Sequence, residues 1–393
     1  MENLEQIVQQ LKSKIEAKEP VKIMIIGLGS VGLYLLDYLV NLADPQIEII
    51  VTGRDKNKMV KDVNIIKTAA TIRNTYRSKI YIEANCDLEN IETIALAISK
   101  HQPDFIVNSS RVYSGLKYGS ISWHNLRAYG IWTPLSIRYA RNIMAGYSQA
   151  NSHAITINTS YSDAVIPWLK SAKKAYYHFG SGNLNHLIPR IKFYIADKYK
   201  IENLNEIDVT IATSHFHDVV ISKEGHSEGQ DILLNIKYKG QMLDVDKSEA
   251  FKACMIDMPV DQKRNMMNAS SNFNIIFSIL DSIKSKKLIK LHSPGVDGEI
   301  GGYPVIIDGT SNYVKIYFDT SVFSIEEMRE ANKKSIYLDG IENVKDGCLI
   351  YTDELVQKLE NTFEAKIPKT VCFDRIEEIS NFLITNVIHR KIN

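Results

Sequence analysis

The chain has few cysteines and no long apolar run. Its 393 residues include four cysteines, and none of them forms a Cys-x-x-Cys pair. This excludes a zinc ribbon, argues against a disulfide framework and favours a reducing compartment. No apolar run reaches the ~18–20 residues that a membrane span needs. Residues 1–20 alternate charged and apolar side chains, unlike a signal peptide. We therefore expect a cytoplasmic protein without a membrane partner.

An excess of charge of one sign is also missing. Lys and Arg number 47 against 46 Asp and Glu, which leaves a net charge of +1. No overall field would attract nucleic acid or an anionic membrane, so the expected partner is a small molecule. Hydrophobic residues make up 45% and charged residues 24%, an ordinary globular composition. The length allows two domains with sizeable cores.

A glycine motif near the N-terminus is the most specific local signal. The apolar run Val21–Ile26 predicts a buried strand, and Gly27, Gly29 and Gly32 follow it at G-x-G-x-x-G spacing before an apolar helix. The first glycine permits a tight turn and the second a close approach to a pyrophosphate. The third lets the helix pack on the strand, with its N-terminus facing the anion. This context predicts a dinucleotide site.

Strands and helices alternate over the first part of the chain. We predict strands at 47–52, 79–83, 105–108 and 154–158, with helices at 90–100 and 135–149. Such alternation is typical of a doubly wound parallel sheet, so residues 21–165 are predicted to be an α/β Rossmann domain. Apolar residues at helical spacing predict an amphipathic helix over 2–17, within an N-terminal segment of residues 1–20. Its apolar face would pack on its own domain or on a partner subunit.

The pattern changes after residue 165. Antiparallel strands are predicted at Asp208–Thr213 and Ile232–Lys239, a long helix at 260–286 and a hairpin at Tyr303–Phe318. Residues 166–335 thus read as a second, α+β domain that holds the substrate. Residues 336–393 are predicted to be a C-terminal extension that packs on the second domain or forms an interface.

The end of the second strand bears on the choice of nicotinamide cofactor. An acidic residue at this position usually bonds the adenosine ribose, but this strand ends in Thr52-Gly53-Arg54-Asp55. Gly53 leaves space, and the Arg54 guanidinium could pair with a phosphate, which favours NADP. NAD is the second choice, with Asp55 on the ribose. Asp87, just past the third strand, is expected beside the adenine.

Four later segments carry a resemblance to a known family. Ile155–Asp163 (ITINTSYSD), Gly180–Arg190 (GSGNLNHLIPR), Ala212–Val219 (ATSHFHDV) and Gly301–Ser335 occur in the order of motifs in the lactate and malate dehydrogenases. The resemblance implies a Rossmann domain followed by that family's α+β domain. It also implies NAD(P)-dependent oxidoreductase activity. Opine- and saccharopine-type dehydrogenases are a more distant resemblance.

The departures from the family concern its substrate residues. The family's catalytic Asp falls on Asn185 and its first substrate arginine on Ile188, whereas Arg190 matches the second arginine. Asn108–Tyr118 replaces the mobile loop, with Arg111 the one plausible stand-in for the loop arginines. A 2-keto-acid carboxylate normally needs a bidentate arginine. We therefore expect a substrate other than lactate or malate. Tyr113, Tyr118, Trp123 and Trp132, in and just after this segment, would pack in the core or form an aromatic lid over the substrate.

Two histidines are candidates for the proton transfer that accompanies hydride transfer. His215 and His217 occupy the segment that matches the family's catalytic histidine. Because they are two residues apart, on or just past a strand, we expect them to point to the same face. We expect His215 to act as acid/base, with His217 or Asp218 orienting it. With Asn185 in place of the family's Asp, either the pKa of the histidine falls or another carboxylate, Asp163 or Asp218, takes over.

A metal site is the alternative for the same histidines, with His226 as a further ligand. No third ligand at a characteristic spacing supports it, so we expect no metal. The predicted catalytic residues are His215, His217, Asn185 and Arg190. The residues predicted to hold the cofactor are Gly27, Gly29, Ser30, Val31, Gly32, Gly53, Arg54, Asp87, Ser109 and Asn158.

The predicted function is an NADP-dependent dehydrogenase or reductase that acts on the carbonyl or imine carbon of a small, non-standard substrate. One alternative is an imine-reducing enzyme of the opine or saccharopine type. Another is a non-catalytic NAD(P)-binding sensor or scaffold. Asn185 and Ile188 suggest it, because they replace the family's catalytic Asp and first substrate arginine. A homodimer or a higher homo-oligomer is expected from the architecture.

Overall fold

The structure, a computed structural model, describes residues 4–113, 115–182 and 184–390. None of the described helices is long and apolar enough to cross a membrane.

Six parallel strands form the sheet of the first domain. They are β1 (Val21–Ile26), β2 (Ile47–Thr52), β3 (Lys79–Glu83), β4 (Phe105–Asn108), β5 (Ile155–Asn158) and β6 (Phe179–Gly180). Their order is β3-β2-β1-β4-β5-β6, and β1, β2, β4 and β5 are almost wholly buried because helices cover both faces. The predicted doubly wound sheet is confirmed. Its order reverses between β1 and β4, where sheets of this kind bind ligands.

Seven helices belong to this part of the chain. They are α1 (Leu4–Glu16), α2 (Ser30–Asn41), α3 (Lys56–Ile72), α4 (Ile91–His101), α5 (Gly115–Ile121), α6 (Thr133–Gln149) and α7 (Ser162–Ser171). The apolar stripe of α1 is buried in the core of its own chain, and Gln9 Nε2 donates to the Val314 carbonyl at 3.1 Å. Residues 2 and 3 of the predicted helix lie outside the described residues.

The second domain contains two antiparallel sheets and five helices. One sheet is β7 (Ile207–Ala212), β8 (Leu233–Tyr238) and β9 (Gln241–Met242), and the other is β10 (Leu288–Pro294), β11 (Gly302–Asp308) and β12 (Lys315–Phe318). The helices are α8 (Leu187–Tyr199), α9 (His215–Glu224), α10 (Lys247–Ala253), α11 (Asn265–Ser285) and α12 (Ile325–Leu338). The predicted α+β character and the hairpin are confirmed. Helix α11 begins five residues later than expected, because Asp261 caps a separate short turn.

The C-terminal unit consists of β13 (Ile341–Lys345), β14 (Cys348–Tyr351), α13 (Asp353–Phe363), β15 (Thr370–Cys372) and α14 (Ile376–Leu383). We expected it on the second domain or at an interface. In the structure it packs on α6 and α7 of the first domain, and its β13 also contacts α12 of the second. The interface stays a prediction. Leu383 is fully buried in one core cluster with Leu135 of α6. Ser380 Oγ donates to the Pro134 carbonyl at 2.9 Å. The apolar stripe of α14 thus completes the core of the first domain.

The structure joins Cys348 and Cys372 in a disulfide. The sequence argued against a disulfide framework, and this pair is an exception to that expectation. They lie 24 residues apart in sequence, but they are directly opposed on the neighbouring antiparallel strands β14 and β15. Spacing alone could not show this, because strand register brings them together. Cys86 and Cys254 are free and buried, as expected.

Candidate functional site

The glycine motif forms the turn between β1 and α2. Gly27 has φ +93°, a conformation that suits glycine. A Cβ on Gly32 would lie 2.3 Å from the Gly27 carbonyl oxygen, so α2 packs directly on the turn. A Cβ on Gly29 would meet no protein atom within 4 Å. The open space is therefore at the N-terminus of α2, where backbone N–H groups attract an anion.

This turn opens into a cavity of about 820 Å³ between the two domains. The cavity runs from the carboxyl ends of β1 and β2 to the face of α9 in the second domain. Its volume is in the range of ligand sites. Five of the predicted cofactor residues besides Gly27 and Gly29 line it, namely Ser30, Val31, Gly53, Arg54 and Ser109.

The end of β2 presents Arg54 to this cavity. Its side chain is exposed and forms no hydrogen bond or ion pair within the described residues. Asp55 accepts a hydrogen bond from the Lys58 backbone N–H at 2.9 Å and caps α3. Asp55 does not line the cavity, whereas Gly53 and Arg54 do. The charge offered at this edge is therefore positive.

Three predicted cofactor residues do not line the cavity. Gly32 serves the packing of α2. Asn158 is fully buried, accepts from Asn108 Nδ2 at 2.9 Å and donates to the Ser160 carbonyl at 2.9 Å. Asp87 turns its carboxylate to the backbone N–H of Glu89. The side chains that flank Asp87 in the sequence, Cys86 and Leu88, line the cavity in its place.

His215 lies at the start of α9 and faces the cavity. Its Nδ1 is 2.9 Å from Oδ2 of Asp339, a fully buried carboxylate that directly follows α12. The backbone N–H of His215 donates to Asp163 at 3.0 Å. Nε2 forms no hydrogen bond within the described residues, so it is the nitrogen left for a ligand. An Nδ1–H donated to the carboxylate would fix this tautomer.

Asp339 is held in place by two tyrosines that also pack on the imidazole. The Tyr161 hydroxyl donates to Oδ2 of Asp339 at 2.7 Å, and the Tyr129 backbone N–H donates to Oδ1 at 2.7 Å. The rings of Tyr129 and Tyr161 meet the imidazole edge-on, with centroids 4.6 and 5.3 Å away. Burial lowers the pKa of His215, but the charge and hydrogen bond of Asp339 outweigh it, and the pKa is raised.

His217 does not share this face. Residues 215–224 are helical, so side chains two apart point in different directions, and the expectation of a common strand face is wrong. Nδ1 of His217 bonds the Ser335 hydroxyl at 2.6 Å, and Nε2 lies 3.1 Å from the Ser227 carbonyl. Burial lowers the pKa of His217 to about 4. His217 is therefore a neutral structural residue outside the cavity lining.

Asn185 is likewise separate from His215. Its Nδ2 donates to Ser271 Oγ at 2.8 Å and to the His292 carbonyl at 3.1 Å, and it does not line the cavity. The carboxylate that partners His215 is neither Asp163 nor Asp218 but Asp339. No sequence signal identified it, because Asp339 lies beyond the resemblance, which ends at residue 335.

Arg190 lines the cavity as predicted, but its terminal nitrogens are engaged. Nη1 donates to the carbonyls of Cys254 at 2.6 Å and Ile256 at 3.4 Å. Sequence reasoning missed Arg264, which lines the same region from the turn before α11. Arg111 also lines the cavity.

Aromatic side chains form one wall of the cavity. Trp123, Tyr129 and Trp132 line it, and the segment 108–118 contributes Tyr113 and Tyr118. Trp132 is almost fully buried and Trp123 half-buried. The first therefore packs in the core, while the second is a wall of the cavity.

The potential metal-ligating group that the described residues contain does not include His215 or His217. It joins His226 to Glu224 and Glu228. Arg127 forms ion pairs with both carboxylates, the first at 2.7 Å. The guanidinium offsets one of the two negative charges that a cation would meet there.

The sequence matches no family model and no curated protein. Solved structures are similar in three dimensions. The malate dehydrogenase of Cryptosporidium parvum has a TM-score of 0.54 at 13% identity, over 87% of this chain and 99% of that one. The malate dehydrogenase of Aeropyrum pernix has a TM-score of 0.50 at 12% identity, over 81% and 97%. At these identities the likeness establishes the fold, which is that of the malate dehydrogenases, as the sequence motifs implied.

Proposed function

We propose that the protein is an NADP-preferring dehydrogenase that interconverts a hydroxyl and a carbonyl group, or an amine and an imine, on a small substrate. One observation carries the proposal. The buried His215–Asp339 pair faces the same cavity as the open glycine turn of α2. A dinucleotide site and a polarised imidazole in one cavity are what such a reaction needs.

The glycine turn fits a dinucleotide. The N-terminus of α2 and the empty space at Gly29 would receive the pyrophosphate, with Ser30 and Val31 beside it. When bound, the nicotinamide supplies or accepts the hydride. The cavity continues from there to His215, so a substrate can lie between the two.

His215 would move the proton. In the oxidative direction, neutral Nε2 accepts the proton of the substrate hydroxyl as the hydride leaves carbon. In reduction, the imidazolium returns a proton to the new alkoxide oxygen. Asp339 stabilises the imidazolium and orients the ring, while Tyr129 and Tyr161 restrict its rotation. Asn185 in place of the family's Asp is thus no reason to expect a non-catalytic sensor.

Arg54 supports the preference for NADP. It is a cation without a described ion-pair partner at the carboxyl end of β2, where the adenosine ribose is held in this fold. Asp55, the acidic residue that follows it in the sequence, caps α3. A guanidinium at this position would pair with a 2′-phosphate.

Calorimetric titration with NADPH and NADH tests this preference. We expect NADPH to bind about tenfold more tightly, and Arg54→Gln to lose that advantage while NADH binding stays unchanged. Lys61→Gln removes an equal charge from an exposed position on α3 outside the cavity and serves as the control. Tighter binding of NADH by the wild type would contradict the NADP assignment.

A further inference from the structure

The cavity extends past His215 into a part that we call the outer chamber, lined by His186, Arg190, Asp218, Lys223 and Arg264. Asp218 and Lys223 follow His215 on α9 at intervals of three and eight residues, so all three share the face of that helix that lines the cavity. A substrate that presents its reacting carbon to His215 therefore also meets the outer chamber.

Arg264 is a half-buried cation whose guanidinium forms no hydrogen bond or ion pair with the residues the structure describes. Its positive charge nevertheless affects two other titratable groups of the chamber. Together with the larger effect of burial, it lowers the pKa of His186 to about 3 and also lowers the pKa of Lys223. Arg190 differs, because its Nη1 already donates hydrogen bonds to backbone carbonyls. Arg264 is thus the guanidinium available to an anion.

Asp218 is a buried carboxylate with an unsatisfied oxygen. It is 4% exposed, and its Oδ1 has no hydrogen-bond partner within the described residues. Nδ1 of His186 lies 3.8 Å from Oδ2, but this histidine is neutral. A buried carboxylate without a donor is costly, so a ligand that brings a donor would be favoured.

We propose that the substrate is zwitterionic, with an anionic group that binds Arg264 and an ammonium group that binds Asp218. The proposal rests on the proposed function, because it places this molecule against His215 in the same cavity. An ammonium is the group that satisfies both the free oxygen and the charge of Asp218. A guanidinium takes a carboxylate or a phosphate equally well, and the test distinguishes the two.

Binding of acetate and inorganic phosphate to the full chain tests the anion site, with tryptophan fluorescence as the readout, since Trp123 lines the same cavity. We expect Arg264→Gln to raise the dissociation constant of the preferred anion about tenfold. Lys263→Gln, the neighbouring exposed cation outside the cavity, should leave it unchanged. The anion that loses more affinity in Arg264→Gln identifies the anionic group of the substrate as a carboxylate or a phosphate. Equal affinities in the wild type and Arg264→Gln would overturn the proposal.

Glycine, glycolate and acetate test the ammonium site, because they differ in one substituent. We expect glycine to bind about tenfold more tightly than acetate, and Asp218→Asn to abolish this advantage. Asp257→Asn, at an exposed position outside the cavity, should preserve it. If glycolate binds the wild type as much more tightly than acetate as glycine does, the group bound by Asp218 is a hydroxyl and the ammonium assignment is overturned.

The two proposals can fail separately, because these titrations need no turnover. A chain that binds NADPH but shows no dependence on Arg264 or Asp218 contradicts the zwitterionic substrate alone. A chain that binds neither NADPH nor NADH contradicts the dehydrogenase proposal, whatever the anions do.

Discussion

At the scale of single residues, the pKa and orientation of His215 depend on which carboxylate is hydrogen-bonded to it. The sequence indicated the histidine, because ATSHFHDV matches a family motif, and it indicated that the usual Asp is replaced by Asn185. It could not indicate Asp339, because the contact joins residues 124 positions apart and Asp339 carries no motif. Such a partner is fixed by tertiary packing, here by Tyr129 and Tyr161.

Replacing Asp339 tests this pairing. We expect Asp339→Asn to lower the pKa of His215, since the Asp339 charge and hydrogen bond raise it in the wild type and the amide stabilises the imidazolium less. The imidazole would then lose its proton at a lower pH, and the acid limb of the oxidation rate would move the same way. NMR titration of the His215 ring measures the shift.

Asp346→Asn, at an exposed turn position in the C-terminal unit, is the matched control and should leave this titration unchanged. A normal melting temperature for Asp339→Asn would show that its fold is intact. The same His215 pKa in Asp339→Asn as in the wild type would refute the role given to Asp339.

At the scale of elements, the sequence predicted β1 to β5 of the first domain because each is a short run rich in apolar or β-branched residues, whereas the two-residue β6 was not predicted. The predicted bounds of β1 to β4 coincide with the observed ones. The sequence suggested a strand end at His215, whereas α9 begins there, and this changes the direction of His217 relative to His215. Period 2 and period 3.6 orient residues two apart differently, and the segment after β7 is too short to distinguish them by pattern.

The glycine turn gives a prediction with two separable outcomes. Gly29 has φ −85° and open space at its Cβ position, so Gly29→Ala should fold normally but weaken NADPH binding about tenfold or more. In Gly32→Ala the new Cβ would meet the Gly27 carbonyl, which should cost about 1–3 kcal/mol of stability as well as binding.

Thermal melting and calorimetry on both glycine variants separate these effects. Unchanged NADPH affinity in Gly29→Ala would mean that the turn does not hold the cofactor.

At the scale of the whole molecule, the C-terminal unit is part of the first domain's core although it comes last in sequence. Ile376, Ile379, Leu383 and Val387 recur at helical spacing, but this pattern does not say which surface receives the helix. The same holds for the pairing of Cys348 with Cys372. Periodicity identifies an apolar face, whereas its partner depends on long-range topology.

Truncating one core side chain of α14 measures this contribution. Leu383 is fully buried between α14 and the first domain, so Leu383→Ala should lower the free energy of unfolding by about 2–5 kcal/mol. Thr385→Ala, an exposed position two residues further on, should leave it unchanged. Chemical denaturation measures both, and equal stability of the two variants would show that α14 is not integral to the core.

The central claim, that His215 serves hydride transfer beside a bound dinucleotide, is tested most directly by following NADPH oxidation over a panel of oxo and imino acids. The wild type should oxidise NADPH with at least one of these compounds. His215→Asn should bind NADPH with unchanged affinity but oxidise it at a rate reduced by a factor of about one hundred or more. Equal rates for the two proteins, or no oxidation by the wild type with any compound, would contradict the account.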